Sequence, residues 1–253
     1  MALTIEQHLT PYNFSDRPAG GRKIEYIVIH YFGSLGTAKA VANYFASAYR
    51  GASAHYCLDE GNTVYQCVLE EDVAWHCGTS GTYYHPDCRN SNSIGIEVRP
   101  YKLDPSTATD ATKRDWYFTE EIIENLVEFT AALMRKYDIP PERVVRHYDV
   151  THKWCPRPFM GDDINQFYGE SGNAMWEKFK ERIEEETQMR FNTMEQIEEK
   201  ASYALPTVQK LVSLGYLQGG GKKDAEGNPA DMDLSKDMLR VLVINDRAGV
   251  YGE

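Results

Sequence analysis

Long apolar runs are missing from this chain. The longest uninterrupted aliphatic stretch is Val241-Leu242-Val243-Ile244, far short of the roughly 18 residues a helix needs to cross a bilayer, so no membrane insertion is expected. Excess positive charge is missing as well. The chain has 27 Lys and Arg against 38 Asp and Glu, a formal net charge of −11. Such a surface repels phosphate backbones, which argues against a nucleic-acid partner. Residues 190–253 carry 8 basic and 10 acidic side chains, so the acidic excess belongs almost wholly to the first 189 residues. Cysteine is sparse and odd in number: Cys57, Cys67, Cys77, Cys88 and Cys155. That count, without a leader sequence, argues against a full disulfide framework, and buried free thiols are the expectation. Met1 to Lys23 lacks a basic start followed by an apolar stretch, and Asp16, Arg17 and Pro18 interrupt it. It does not read as an export signal.

What is present is an ordinary globular balance. The 253 residues are 42% hydrophobic and 26% charged, enough apolar surface for one or two domains. After a loose lead-in of about twenty residues, Ile24 to Tyr31 reads as a buried strand and Thr37 to Tyr49 as a helix. Ala54–Leu58 and Thr63–Val68 are short β-type runs joined by the turn Asp59-Glu60-Gly61-Asn62. Ser93–Val98 is a further strand. The clearest helix spans 119–137, with Ile122, Ile123, Leu126, Val127, Thr130, Leu133, Met134 and Tyr137 on one face. Thr119 can cap it, and Pro140 and Pro141 stop it. A short strand at Val144–His147 and a charged helix from Trp176 follow.

Strands and helices interleave to about residue 180, the pattern of an α/β domain. We expect this domain to cover 1–183, a charged helical linker to cover 184–202, and a small C-terminal helical module to cover 203–253. In that module Leu205–Leu217 and a Ser235-capped segment through Arg247 form the helices, and Gly249 supplies the stop. About fifty residues make a thin core, and Met238 to Ile244 is apolar almost all round. The module is therefore expected to pack on something, in a homodimer, on the main domain or on a target surface.

The chemistry gathers around His30, at the end of a buried strand, and RHYDVTHKWCP at 146–156, which holds His147 and Cys155. Two imidazoles and a thiolate suit zinc and leave a fourth position open. A chain with seven His and five Cys contains many such triples, so spacing alone leaves this reading open.

Five passages, in order, resemble the zinc-dependent N-acetylmuramoyl-L-alanine amidases of the amidase-2 type. They are IVIHYF around His30, SAHYCLDEGNTVYQ at 53–66, AWHCG at 74–78, NSNSIGIEV at 90–98 and VRHYDVTHKWCP at 145–156. That family includes phage endolysins and bacterial autolysins, and peptidoglycan recognition proteins share its fold. The resemblance implies a mixed β-sheet flanked by helices. His30, His147 and Cys155 match the three zinc (Zn2+) ligands, and Glu97 matches the glutamate that activates water. Lys153 matches a lysine suited to the oxyanion. Some relatives use a tyrosine just before the position of His55, but Ala54 stands there, which favours Glu97 as the base. His76 and His55 match positions facing the cleft and are expected to contact substrate, with a structural histidine as the rival reading of His55. Asn92 and Ser93 match the polar approach to the strand, where they either orient the loop or touch substrate. Trp75, Trp154 and Tyr31 are expected to pack in the core, and His152 to sit at the surface.

The resemblance further implies hydrolysis of the amide between N-acetylmuramic acid and L-alanine in bacterial peptidoglycan. An endolysin-like setting follows: synthesis in the cytoplasm, from a phage or prophage, and action on the cell wall after release. The C-terminal module would attach to the wall or self-associate. The rival is a recognition module that binds peptidoglycan without cutting it. Relatives of that kind often lack the cysteine ligand, whereas Cys155 and Glu97 are both present.

Overall fold

The computed structural model describes residues 3–17, 23–78, 81–108 and 115–252. Part of the expected lead-in, residues 18–22, lies outside them. The chain divides between Thr187 and Gln188 into two units.

The first unit is built on a six-stranded sheet. The lead-in is not loose: Thr4–Gln7 forms strand β1 and Phe14–Asp16 forms β2. Strand β3 is Tyr26–Tyr31, helix α1 is Ala38–Ser47, and strands β4, β5 and β6 are Tyr56–Leu58, Thr63–Gln66 and Asp72–Ala74. Strand β7 is Ser93–Val98, and a two-residue ladder joins β8 (Tyr101–Lys102) to β9 (Trp116–Tyr117). Helix α2 (Glu120–Tyr137), strand β10 (Val144–Arg146) and the short helix α3 (His147–Thr151) follow. Strands β11 (Ile164–Asn165) and β12 (Glu170–Ser171) pair with each other, and helix α4 (Gly172–Gln188) runs to the boundary.

The sheet order is β1-β5-β4-β7-β3-β10. Neighbours are parallel except β4 and β5, which are antiparallel across the expected turn. The mixed sheet flanked by helices is therefore as the sequence led us to expect. Strand β1 escaped the reading because its side chains Thr4, Ile5, Glu6 and Gln7 are all exposed at the sheet edge. It has no buried face to impose an alternating pattern.

Side-chain alternation sorts the central strands into two faces. From β3, Ile27 and Ile29 join Ile94, Ile96 and Val98 of β7 on the face covered by α2. Ile122, Ile123, Leu126, Val127, Leu133 and Met134 of α2 complete this main core. The Thr119 hydroxyl caps α2 by accepting from the Ile122 N–H. Glu120 and Glu121 stand at its positive end and Arg135 and Lys136 at its negative end. The opposite face carries Tyr26, Val28 and His30 from β3, and Ser93, Gly95 and Glu97 from β7. Period two alone thus puts His30, Ser93 and Glu97 on one side.

The second unit starts at Gln188, so the boundary differs from the one expected at 203. Residues 184–202 do not form a solvated linker. Strand β13 (Arg190–Phe191) pairs with β14 (Leu234–Ser235), and helix α5 (Met194–Ala201) buries Ile197 and Ala201. Helices α6 (Leu205–Ser213) and α7 (Lys236–Arg247) close a small core of Phe191, Ile197, Ala204, Val208, Leu234, Leu239 and Val243. Ser235 caps α7 as expected, accepting from the Met238 N–H at 3.2 Å. Met238, Val241 and Ile244 of α7 remain exposed.

Candidate metal centre and active site

His30 is placed by β3, whose hydrogen bonds to β7 and β10 hold it from both sides. Its register partner on β7 is Glu97, so the two side chains share a face. His147 opens α3 directly after β10. The chain then turns at His152, in the left-handed region, whose N–H donates to the Tyr148 carbonyl. This reversal brings Cys155 back over α3, where its carbonyl accepts from the Tyr148 N–H at 2.9 Å. Local turn chemistry, not long-range luck, unites ligands eight residues apart.

The outcome is a cluster in which one donor atom each from His30, His147 and Cys155 lies within 4.8 Å of the others. All three residues are buried. Cys155 Sγ stands 3.8 Å from His30 Nδ1. Neither buried ring nitrogen of His147 makes a well-formed hydrogen bond among the described residues, although the Gly78 backbone approaches the ring, a costly arrangement unless something binds there. Burial, with the nearby Lys153 charge, pushes His147 down to about 4. Burial and the neighbouring His147 also hold His30 well below its ordinary value. The imidazoles are thus neutral and ready to donate lone pairs. Burial, reinforced by Glu97, pushes the Cys155 thiol up to about 12, so ionising it requires a cation alongside. Two neutral imidazoles, a thiol and an orphaned ligand nitrogen make a donor set fitted to a soft or borderline divalent metal.

Glu97 has a buried Oε2 without a partner among the described residues. Burial lifts its carboxyl to about 8, with Lys153 opposing the rise. Lys153 is exposed at the cleft wall. These groups open into a cleft of about 640 Å³, which runs from His30, Glu97, His147, Lys153 and Cys155 toward α1.

The sequence called other residues to this cleft, with mixed results. His76 reaches it only in part. The ring is buried, Nδ1 lies 3.1 Å from His30 Nε2, and Nε2 lies 3.2 Å from Ser93 Oγ. Both nitrogens are engaged internally, so the expected substrate contact has no free ring nitrogen to make it. His55 is fully buried and does not line the cleft. Its Nδ1 accepts from the Gly95 N–H at 3.0 Å, tying the end of β4 to β7, and burial lowers it to about 4. Asn92 is also fully buried away from the cleft, and its Oδ1 accepts from the Arg89 N–H at 2.7 Å. Both side chains hold the backbone, and neither lines the cleft.

Other outcomes follow the local packing. Trp75, expected in the core, lines the cleft, whereas Tyr31 packs against the main core as expected while also bordering the cleft. His152 is exposed and stacks on Tyr84. Val41 and Tyr44 of α1 form a far wall that the sequence did not announce. All five cysteines are free and buried, and Cys57 and Cys67 approach to 3.6 Å between sulfurs.

Comparison with known proteins gives this geometry its family. The N-acetylmuramoyl-L-alanine amidase family model of the amidase-2 type matches residues 20–158, more than half of the chain, a span that includes His30, Glu97, His147, Lys153 and Cys155. The chain belongs to that family. A probable N-acetylmuramoyl-L-alanine amidase of Bacillus licheniformis is 32% identical over 172 residues, covering 63% of this chain and 44% of the relative. The amidase BlyA of Bacillus subtilis strain 168 is 26% identical over 234 residues, covering 86% of this chain and 55% of the relative. The chain thus spans about half the length of these curated relatives. Among solved structures, a mutant endolysin from Bacillus subtilis matches with a TM-score of 0.51 at 24% identity, covering 72% of this chain and 99% of that one. An alanine mutant of PlyL matches with the same TM-score at 20% identity and the same coverage. These likenesses establish the fold.

Proposed function

We propose that the chain is a zinc-dependent hydrolase that cleaves the amide between N-acetylmuramic acid and L-alanine in bacterial peptidoglycan. The observation that carries this reading is the convergence of His30, His147 and Cys155 beside Glu97, inside the family-matched span. His30, His147 and Cys155 would hold the metal. Zinc in a two-histidine, one-cysteine set supplies Lewis acidity that makes water nucleophilic near neutral pH and polarises a carbonyl.

The chain's own residues do the rest. Glu97, lifted to about 8 by burial in the metal-free protein, would be ionised beside a bound dication and so able to take a proton from the attacking water and deliver it to the departing nitrogen. The water oxygen joins the lactyl carbonyl carbon, the C–N bond breaks, and L-alanine leaves with a free amine. Lys153, at the cleft wall, faces the charge that develops on the carbonyl oxygen. The cleft arm between Trp75, Val41 and Tyr44 offers an apolar and aromatic surface to the rest of the substrate.

The Glu97→Gln substitution tests the reading against a non-catalytic recognition module. Hydrolysis should disappear while zinc remains bound. Retained hydrolysis would overturn Glu97 as the base.

An endolysin-like role, with synthesis in the cytoplasm and action on the wall after release, is part of the same proposal and rests on the sequence resemblance. Expression inside a bacterium should cause lysis only once the inner membrane is permeabilised. For the second unit, wall attachment or self-association in a homodimer is proposed, motivated by the exposed Met238, Val241 and Ile244 on α7. Sedimentation of the full chain, alone and with isolated walls, separates the two.

A further inference from the structure

Beside the metal ligands, at the buried edge of the cleft, runs a line of hydrogen-bonding groups that the proposed reaction does not use. His30 Nε2 lies 3.1 Å from His76 Nδ1, and His76 Nε2 lies 3.2 Å from Ser93 Oγ. The Ser93 hydroxyl donates to the Arg89 carbonyl at 2.6 Å. All three side chains are buried.

The direction of this line follows from its end. A carbonyl only accepts, so the Ser93 proton points at Arg89 and leaves its oxygen to accept. The neighbour, His76 Nε2, must then carry a proton and donate it. A neutral His76 protonated at Nε2 has a bare Nδ1, which faces both His30 Nε2 at 3.1 Å and Cys77 Sγ at 3.2 Å. A bare His30 Nε2 would set two lone pairs against each other, so that nitrogen donates. That fixes the proton of His30 on Nε2 and leaves its Nδ1 lone pair free, on the side where Cys155 Sγ stands 3.8 Å away.

The seat of His76 is equally specific. A Cβ built on Gly95 would lie 2.5 Å from His76 Cγ, so only glycine admits the ring at this point of β7. The backbone N–H groups of His76 and Cys77 both donate to Asn90 Oδ1, at 3.1 and 2.6 Å. Gly95, Asn90 and Ser93 together hold one imidazole in one orientation, which is more than packing alone needs.

We propose that His76 is a positioning residue for the metal centre: with Ser93 and the Arg89 carbonyl it sets the tautomer and orientation of His30, so that Nδ1 is presented to the metal. The inference rests on the metal reading above. Outer partners of this type are typically worth about 10- to 100-fold in metal affinity. The same neighbourhood offers a competing arrangement, since His30, His76 and Cys77 form a second group of donor atoms within 4.8 Å of one another. Filling both groups at once would strip His30 of its remaining ring proton, whereas the hydrogen-bonded line needs no such step.

Two measurements on the full chain test this. Nitrogen-15 NMR of histidine-labelled, metal-free protein should show His30 protonated at Nε2 and bare at Nδ1. The opposite tautomer overturns the proposal, with no variant required. Zinc affinity, read by competition with a chromophoric chelator, should fall about 10- to 100-fold in His76→Phe. His76→Asn, whose side-chain oxygen can accept near the position of Nδ1, should recover most of that loss. Gly95→Ala should weaken zinc binding as His76→Phe does. Equal weakening in His76→Phe and His76→Asn would mean packing, not hydrogen bonding, and overturns the proposal. So does wild-type affinity in His76→Phe, or uptake of two zinc ions per wild-type chain. A wild-type chain that takes up no zinc defeats the metal reading itself, whereas normal uptake with an indifferent His76→Phe defeats only this inference.

Discussion

His30 and Glu97 stand directly opposite each other on the adjacent parallel strands β3 and β7. One is a candidate metal ligand and the other a buried carboxyl with a free oxygen. Their spacing is therefore set by sheet hydrogen bonds, among the most rigid distances a fold provides, and not by mobile loops. The same register sends Ile29 and Ile96 into the opposite core. A one-residue slip between these strands would exchange the two faces and destroy site and core together.

The first prediction concerns Glu97. Glu97→Gln should lower kcat by about 10²- to 10⁴-fold, the usual worth of a general acid–base group, with zinc content unchanged. It should also alter the stability of the metal-free protein in a pH-dependent way. The Glu97 carboxyl is raised to about 8 in the fold, against about 4.3 when unfolded. Between those values the folded state holds a proton that the unfolded state does not, so wild-type stability falls with rising pH. The substitution should remove that fall. Urea titrations across the window should show Glu97→Gln gaining on the wild type up to about pH 8 and level above it.

The second concerns the Cys155 thiol. Without a cation it ionises only near 12, while burial already keeps both histidines neutral. Zinc binding near neutral pH should therefore release about one proton from this thiol. Calorimetry in buffers of different ionisation enthalpy measures it, and Cys155→Ala should lose that proton along with most of the affinity.

A third prediction lies far from the site. Glu70 accepts from Tyr56 at 2.9 Å, from Tyr137 at 2.7 Å and from Lys136. Burial opposes its ionisation, but the hydrogen bonds from Lys136, Tyr137 and Tyr56 outweigh it and hold the carboxyl below its usual range. The stability this confers is complete above the unfolded value of about 4.3 and is lost as pH falls through the lower folded value. Tyr137→Phe removes one hydrogen bond to a charged group and should cost about 1.5–3 kcal/mol at neutral pH. Denaturant midpoints should show that difference shrinking in acid.

The fourth concerns the second unit. Phe191 is buried against Ile197, Val208, Leu234 and Leu239. Phe191→Ala should cost about 3–5 kcal/mol, most of what so small a core provides. Limited proteolysis should then cut within 188–252. Unchanged protection would mean that this core does not hold the unit together.

Much of the sheet was legible because β3 and β7 are buried on both faces and read as continuous apolar runs interrupted by His30 and Glu97. Helix α2 was legible because its apolar stripe, cap and charged ends agree. Helix α5 was legible as a helix but not as a buried one, because its buried face is little more than Ile197 and Ala201 among charged residues. The site was legible as a set of residue types in order, but not in the orientation of each side chain. His55 and Asn92 lie in the right motifs yet turn inward, because backbone N–H groups at Gly95 and Arg89 claim them. Tyr44 and Val41 reach the cleft through the placement of α1, which no local pattern encodes.

The central claim is tested most directly by incubating the purified chain with peptidoglycan, with a chelator, and with zinc restored, while products are read by mass spectrometry. The account predicts stem peptides with a free L-alanine amino terminus, absent under chelation and regained with zinc. Peptidoglycan that stays intact although the zinc-loaded chain binds it would contradict the account and make the protein a recognition module.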